Sequence, residues 1–304
     1  MALIELENVE VHYGGLQALA GVTCTIEGGA VGLLGPNGAG KSTLMKTLLG
    51  FNRASKGSVR VFGFEMPKHA LEVRQRLGYM PEREVVSPKV SAVSFLTYCG
   101  QLFGMSRIDA MERSHEVLNY VGLGDSRYRR MDTYSTGMLQ RTKLAQALVH
   151  DPKLLLLDEP TNGLDPDSRI EMLELIKDIA ENRQVTVLLS SHLLPDVQHA
   201  CDRVIIVHKG KITQQGTIAE LTTQQDLQYE LRVRDNKEQY IAALTHAGYQ
   251  CTDRQNGDIH VVQPANGSPR DLFELALGLN TQVRHFRPAR HTLAEVFIEA
   301  MEKE

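Results

Sequence analysis

The chain has 304 residues, 42% of them hydrophobic and 23% charged, with no tryptophan and a formal net charge of −4. This is globular composition, and it excludes collagen-like, disordered and disulfide-scaffold classes. The negative balance argues against a protein that holds nucleic acid by counterion release. Cys24, Cys99, Cys201 and Cys251 form no CxxC pair and read as free thiols in a reducing compartment. The opening MALIELENVE has no basic n-region, and no apolar run approaches the ~18 residues that span a bilayer. The expectation is a cytoplasmic chain that reaches a membrane only through a partner.

In chain order, 2–11 and 22–26 alternate as half-buried strands do. AVGLLG (30–35) is a continuous apolar run ending in glycine, as in a buried parallel strand, and 41–50 has helical spacing. The segment 78–135 is irregular, with helical stretches at 90–103 and 107–120, and reads as a helical insertion. Two further buried strands, 153–160 and 185–192, alternate with helices at 138–150 and 168–183. Buried strands alternating with helices predict an α/β fold around a parallel sheet. RVIIVHKGKITQQGT (203–217) reads as a hairpin turning at Lys209 and Gly210. The pattern then restarts. Strands at 228–234, 249–253, 258–264 and 282–288, with helices at 237–248, 270–279 and 292–303, give a β-α-β-β-α-β-α order. That order is ferredoxin-like, so a small α+β domain is expected over 219–304 after a first domain over 1–218.

The chemistry sits in the first domain. Gly35, Pro36, Asn37, Gly38, Ala39, Gly40, Lys41 and Ser42 match the phosphate-loop pattern between a buried strand and a helix. Glycines let the backbone N–H groups wrap phosphate oxygens, and the helix N-terminus adds its dipole. Lys41 supplies a charge for the outer phosphates, and the Ser42 hydroxyl suits Mg²⁺. Asp158 and Glu159 end the run LLLLDE, where open α/β sheets place their ligands. An Asp there can hold Mg²⁺ through water, and the adjacent Glu can take a proton from attacking water. Ser135, Thr136 and Gly137 precede a helix and offer a second anion site. His192 ends the last buried strand and says little by itself.

Together these motifs resemble the ATP-binding subunit of an ABC transporter, over about residues 3–218. The carriers are VHYGG with Tyr13, GPNGAGKST (35–43), YSTGMLQR (134–141), LLLLDEP (154–160), NGLDP (162–166) and SSH (190–192). The resemblance implies a P-loop NTPase fold with a helical subdomain at about 84–150. Tyr13 would stack on adenine and Thr43 would join the nucleotide loop. Glu159 would activate water, and His192 would contact the γ-phosphate. Two copies would close head to tail on two ATPs, with Ser135, Thr136 and Gly137 meeting the nucleotide of the other subunit and Asp165 at the contact between them. The partner would be a second copy or a related ATPase, and an integral membrane permease would receive the work at the cytoplasmic face.

Two positions depart from the family pattern. The signature reads Ser-Thr-Gly-Met, and Glu82 in GYMPE stands where the family places a glutamine that joins the Mg²⁺ site. Both departures, and HTLAEVFIEAMEK (291–303), resemble the branch that serves exporters with separate membrane chains. Phe95, Leu96, Tyr98 and Phe103 read first as core and second as contacts for such a chain. A soluble ATPase acting on ribosomes or DNA is the alternative, disfavoured by a single cassette, the absence of heptads and the net charge. Arg284, Arg287, Arg290 and His291 read as a solvated face, with an anion site as the sharper alternative.

Overall fold

The computed structural model describes residues 2–83, 89–222, 224–253, 257–264, 267–290 and 292–302. They divide into two compact units, 1–218 with 299–304, and 219–298.

The first unit opens with β1 (Ile4–Tyr13), β2 (Leu16–Ile26), β3 (Ala30–Leu34) and α1 (Lys41–Leu48). It continues with β4 (Lys56–Val61), β5 (Phe64–Glu65), α2 (Ala70–Arg74) and β6 (Leu77–Met80). Two helices follow, α3 (Ala92–Leu102) and α4 (Arg107–Tyr120), capped by the Ser91 and Ser106 hydroxyls. Then come α5 (Thr136–Leu148), β7 (Leu154–Asp158), α6 (Pro166–Asn182), β8 (Thr186–Ser191), α7 (Leu194–Ala200), β9 (Arg203–His208) and β10 (Lys211–Thr217); α8 (Ile218–Leu221) starts at the unit's boundary residue and runs into the second unit.

A six-stranded sheet runs β10-β9-β3-β8-β7-β6, parallel except where β10 returns on β9. A second sheet, β2-β1-β4-β5, is antiparallel. Every residue of β3, β7 and β8 is buried, as continuous apolar strands covered on both faces must be. Leu44, Met45 and Leu48 of α1 share one buried cluster with Leu33, Leu156 and Leu188 of the parallel sheet. Ile4, Leu6 and Val61 of the antiparallel sheet belong to the same cluster. The sheet therefore fixes α1 and the loop before it.

Several elements differ from expectation. Residues 78–80 are not part of an insertion, because β6 pairs with β7 at the sheet edge. β2 begins at Leu16 rather than 22, its first two residues being exposed and pairing with β1. α5 begins two residues earlier than the spacing suggested, which places Thr136 and Gly137 inside its first turn. The β9–β10 turn lies at Lys209 and Gly210, both at positive φ (47° and 76°), as a two-residue hairpin requires.

The second unit comprises β11 (Gln224–Val233), α9 (Lys237–His246), β12 (Gln250–Asp253), β13 (Ile259–Val262), α10 (Pro269–Gly278), β14 (Val283–Arg290) and the start of α11 (Leu293–Glu302). Its strands run β12-β13-β11-β14 in antiparallel pairs, the ferredoxin-like arrangement. Tyr240, Leu244 and Leu272 from the helices pack on Leu231, Ile259 and Val261. Arg287 is engaged: its Nε donates to the nearly buried Glu230 at 2.7 Å. The side chain of Arg290 and all of His291 lie outside the described residues.

Candidate active site

The carboxyl ends of β3, β7 and β8 meet at one cleft of about 740 Å³. Its floor is the loop between β3 and α1. Gly40 stands at φ +111°, and a Cβ there would lie 2.8 Å from the Ala18 carbonyl oxygen. At Gly35 a Cβ would meet the Val207 carbonyl oxygen at 2.3 Å. Only glycine permits this path, and the path turns Asn37, Gly38, Ala39, Gly40, Lys41, Ser42 and Thr43 into the cleft wall. Gly35 and Pro36 stay outside the wall. Their carbonyls accept hydrogen bonds from Lys41 Nζ, at 2.7 and 3.2 Å.

Lys41 is 6% exposed and lies 3.3 Å from Glu159 Oε1. That oxygen is buried and accepts no hydrogen bond, so the ion pair alone satisfies it. The other carboxylate oxygen sits 2.8 Å from His192 Nδ1. Glu159 holds a left-handed conformation at φ +50° immediately past β7. Its N–H donates to the Ser190 carbonyl and hydroxyl, both at 3.2 Å. Asp158, one residue earlier, is buried and accepts from Ser190 Oγ at 2.6 Å and Ser42 Oγ at 3.2 Å. Glu82, from the loop after β6, also lines the cleft, and its Oε1 accepts from Asn162 Nδ2 at 3.4 Å. Burial, with the Asp158 and Glu82 carboxylates, pushes the Tyr79 hydroxyl up to about 12.

Tyr13 stands at the far wall, half-exposed, and its hydroxyl accepts from Asn52 Nδ2 at 2.6 Å. Leu16, Gln17 and Lys209 share that wall. Asn52 orients Tyr13 without a motif of its own, and only proximity in the fold reveals it; Ser190 lies in the SSH run, but nothing in that run shows that it bonds Asp158 and Glu159. The turn at Lys209 is legible as a hairpin, but nothing in its sequence says that it lines the cleft.

Ser135, Thr136 and Gly137 are not in this cleft. Ser135 caps α5, its Oγ accepting from the Met138 N–H at 3.3 Å, and both Ser135 and Thr136 are exposed. Asp165 caps α6 by accepting from the Ser168 N–H at 3.0 Å, and that bond holds its carboxyl below the usual range. One chain thus carries two separate helix N-termini suited to anions.

A glycine-bounded loop, a buried lysine paired to a carboxylate, and a serine–aspartate pair at the strand ends are the groups that a nucleoside triphosphate and its metal ion call for. The family model described as ABC transporter matches residues 19–162. A Bacillus subtilis ABC transporter ATP-binding protein, YxlF, is 31% identical over 98% of this chain and 99% of its own length. The chain belongs to the ATP-binding proteins of ABC transporters. As a member of that family it is an ATPase with a P-loop NTPase fold. The daunorubicin/doxorubicin resistance ATP-binding protein DrrA of Streptomyces peucetius is 33% identical over 97% of this chain and 91% of its own. Among solved structures, the ATP-binding cassette MJ0796, a dimer bound to ADP and Pi, superposes with a TM-score of 0.65 at 23% identity. It covers 70% of this chain and 98% of its own, and the likeness is one of fold. Among the described residues no helix is long and apolar enough to cross a membrane.

Proposed function

We propose that this ABC ATPase powers export by a separate membrane permease, working as a head-to-tail dimer that closes on two ATPs. The observation that carries the reading is the division of the anion sites. The cleft holds one complete phosphate cradle, while the exposed turn at Ser135, Thr136 and Gly137 lies outside it. A second copy, or a related ATPase, would bring that turn to the open side of the nucleotide. The drug-resistance role in DrrA's name supports export over import.

In the bound state Tyr13 stacks on the base, and the backbone amides of 37–43 hold the phosphates. Lys41 exchanges its ion pair with Glu159 for the outer phosphates. Glu159, released from the lysine but still bonded to His192, accepts the proton of the attacking water. With Nδ1–H donated to Glu159, contact of His192 Nε2–H with a phosphate oxygen requires the doubly protonated ring. Ser42 and Asp158, joined by a hydrogen bond, and Glu82 on the cleft wall present the hard oxygen donors that Mg²⁺ takes. Bound there, the ion supplies charge neutralisation on the phosphates.

Tyr98 and Phe103 on and beside α3 are 59% and 40% exposed, while Leu96 is fully buried. The first two therefore remain available to a membrane chain, and Leu96 belongs to the core. Affinity purification of the tagged chain from detergent-solubilised membranes tests the proposal. A stoichiometric multi-span protein is the expected partner. Ribosomal or DNA-bound partners with an empty membrane fraction would overturn the transport reading.

A further inference from the structure

Asp196 takes no part in the chemistry above, yet it is the most fully enclosed carboxylate among the described residues, at 0% exposure. A carboxylate in that position has lost its hydration and is tolerated only where it is paired and hydrogen-bonded. Its partners lie on three segments. Oδ1 accepts from Arg169 Nε at 2.5 Å and also pairs with Nη2 of the same guanidinium. Oδ2 accepts from Thr161 Oγ1 at 2.6 Å and lies 3.4 Å from Ser191 Oγ.

Each partner adjoins a site residue. Thr161 is two residues past Glu159, Ser191 directly precedes His192, and Arg169 follows the NGLDP loop on α6. The placement matters because Glu159 is strained. A non-glycine residue in the left-handed region is strained and persists only where its surroundings hold it. Ser190 holds the N–H of Glu159 from one side. On the other side, the buried Thr161 hydroxyl is tied to Asp196. The same carboxylate reaches the strand end that carries His192, so a single group sets both ends of the Glu159–His192 hydrogen bond.

We infer that Asp196 is a positioning residue for hydrolysis, holding Glu159 and His192 in register through Thr161, Ser191 and Arg169. This rests on the reading of Glu159 as the residue that activates water. The rival account is a staple between α6 and α7 with no bearing on turnover.

The test measures ATP turnover, nucleotide affinity and melting temperature for Asp196→Asn, Thr161→Val and Glu159→Gln, and for each of the first two combined with the third. Asn keeps the shape of Asp196 and removes its charge. Val removes the Thr161 hydroxyl while leaving the Asp196–Arg169 ion pair, so it carries the test even where Asp196→Asn proves too unstable to purify. Misplacing a reacting group by a fraction of an ångström to 1 Å lowers kcat by about 10–100-fold, the loss expected in both single variants. ATP affinity stays within about threefold, because the phosphate loop is untouched, and Thr161→Ser restores the rate. In the Glu159→Gln background neither change lowers the residual rate further by more than about threefold, because no base remains to be misplaced. Native turnover in both single variants beside a collapsed Glu159→Gln would overturn the inference. So would a loss that repeats in full in the Glu159→Gln background, or a fall in melting temperature and affinity with kcat unchanged. Native turnover in Glu159→Gln alone would refute the reading of Glu159, and this inference with it.

Discussion

Glu159→Gln separates the two roles that the structure gives one carboxylate. Without nucleotide, Glu159 is the counter-ion of Lys41 at 3.3 Å, with both side chains under a tenth exposed. At an effective dielectric of about 20, the gross attraction at that distance is about 5 kcal/mol. Desolvation of the two charges offsets most of it. Lys41 also keeps the carbonyls of Gly35 and Pro36. The amide should therefore cost the empty protein about 1–2 kcal/mol, less than the 3–5 of a fully orphaned buried charge. In a unit of this size that lowers the melting temperature by a few degrees. ATP must displace Glu159 from Lys41, so removing the competitor should tighten binding, by up to about tenfold for 1.4 kcal/mol. Turnover should move the other way, falling about 10²–10⁴-fold with the lost base. Phosphate release, a fluorescent-nucleotide titration and thermal melts with and without Mg-ATP read the three effects. A rate within tenfold of native would show that another group activates water. Weaker ATP binding would show that Glu159 supports the phosphates rather than competing with them.

Tyr13→Ala should weaken ATP binding by about 1–3 kcal/mol while leaving a base-free triphosphate unaffected; equal losses for both ligands in a titration would remove Tyr13 from the base. Lys41→Ala and Gly137→Asp should each abolish turnover alone, whereas a mixture of the two should recover activity through one complete composite site. A mixture as inactive as its components would refute the division of the site between subunits. Burial holds the His150 ring below its ordinary pKa, and the ring stacks on Phe103 at 3.7 Å. The neutral form is the folded one, so its stabilising contribution is present above pH 6.5 and is lost as pH falls through the folded value. Melting temperature should drop between pH 7 and pH 5, and His150→Gln should flatten that slope; an unchanged slope would show that other groups set it. Burial pushes the Cys24 thiol from 9.0 up to about 12, so its contribution is lost only as pH rises from 9 toward 12, and Cys24→Val should lose less stability over that range in melts.

The parts of the site legible in the sequence are those whose physics is local. A buried strand, a glycine turn and a helix N-terminus lie within twenty residues, and so do the apolar run and the two carboxylates that end it. Hydrogen bonds between segments left no such trace. Asn52 on Tyr13 and Asp196 on Thr161 join residues 39 and 35 positions apart, through side chains that read as ordinary surface polars. β6 escaped notice because four residues with a central glycine carry too little periodicity, and its pairing with β7 decides its state. The arginines of the second unit read first as a solvated face, with an anion site as the sharper alternative. Their sequence gives no sign of the partner that takes up Arg287, which is Glu230 across the strand pair.

In the proposed mechanism ATP joins two chains, each completing the other's cleft. Light scattering on size-exclusion chromatography of Glu159→Gln, with Mg-ATP and without, reads this assembly. The variant should run at the mass of the 33.8 kDa chain without nucleotide and at twice that mass with it, and return to the single chain when Gly137→Asp is added. A mass that ignores ATP, in a protein shown by titration to bind it, would mean that ATP does not join two chains.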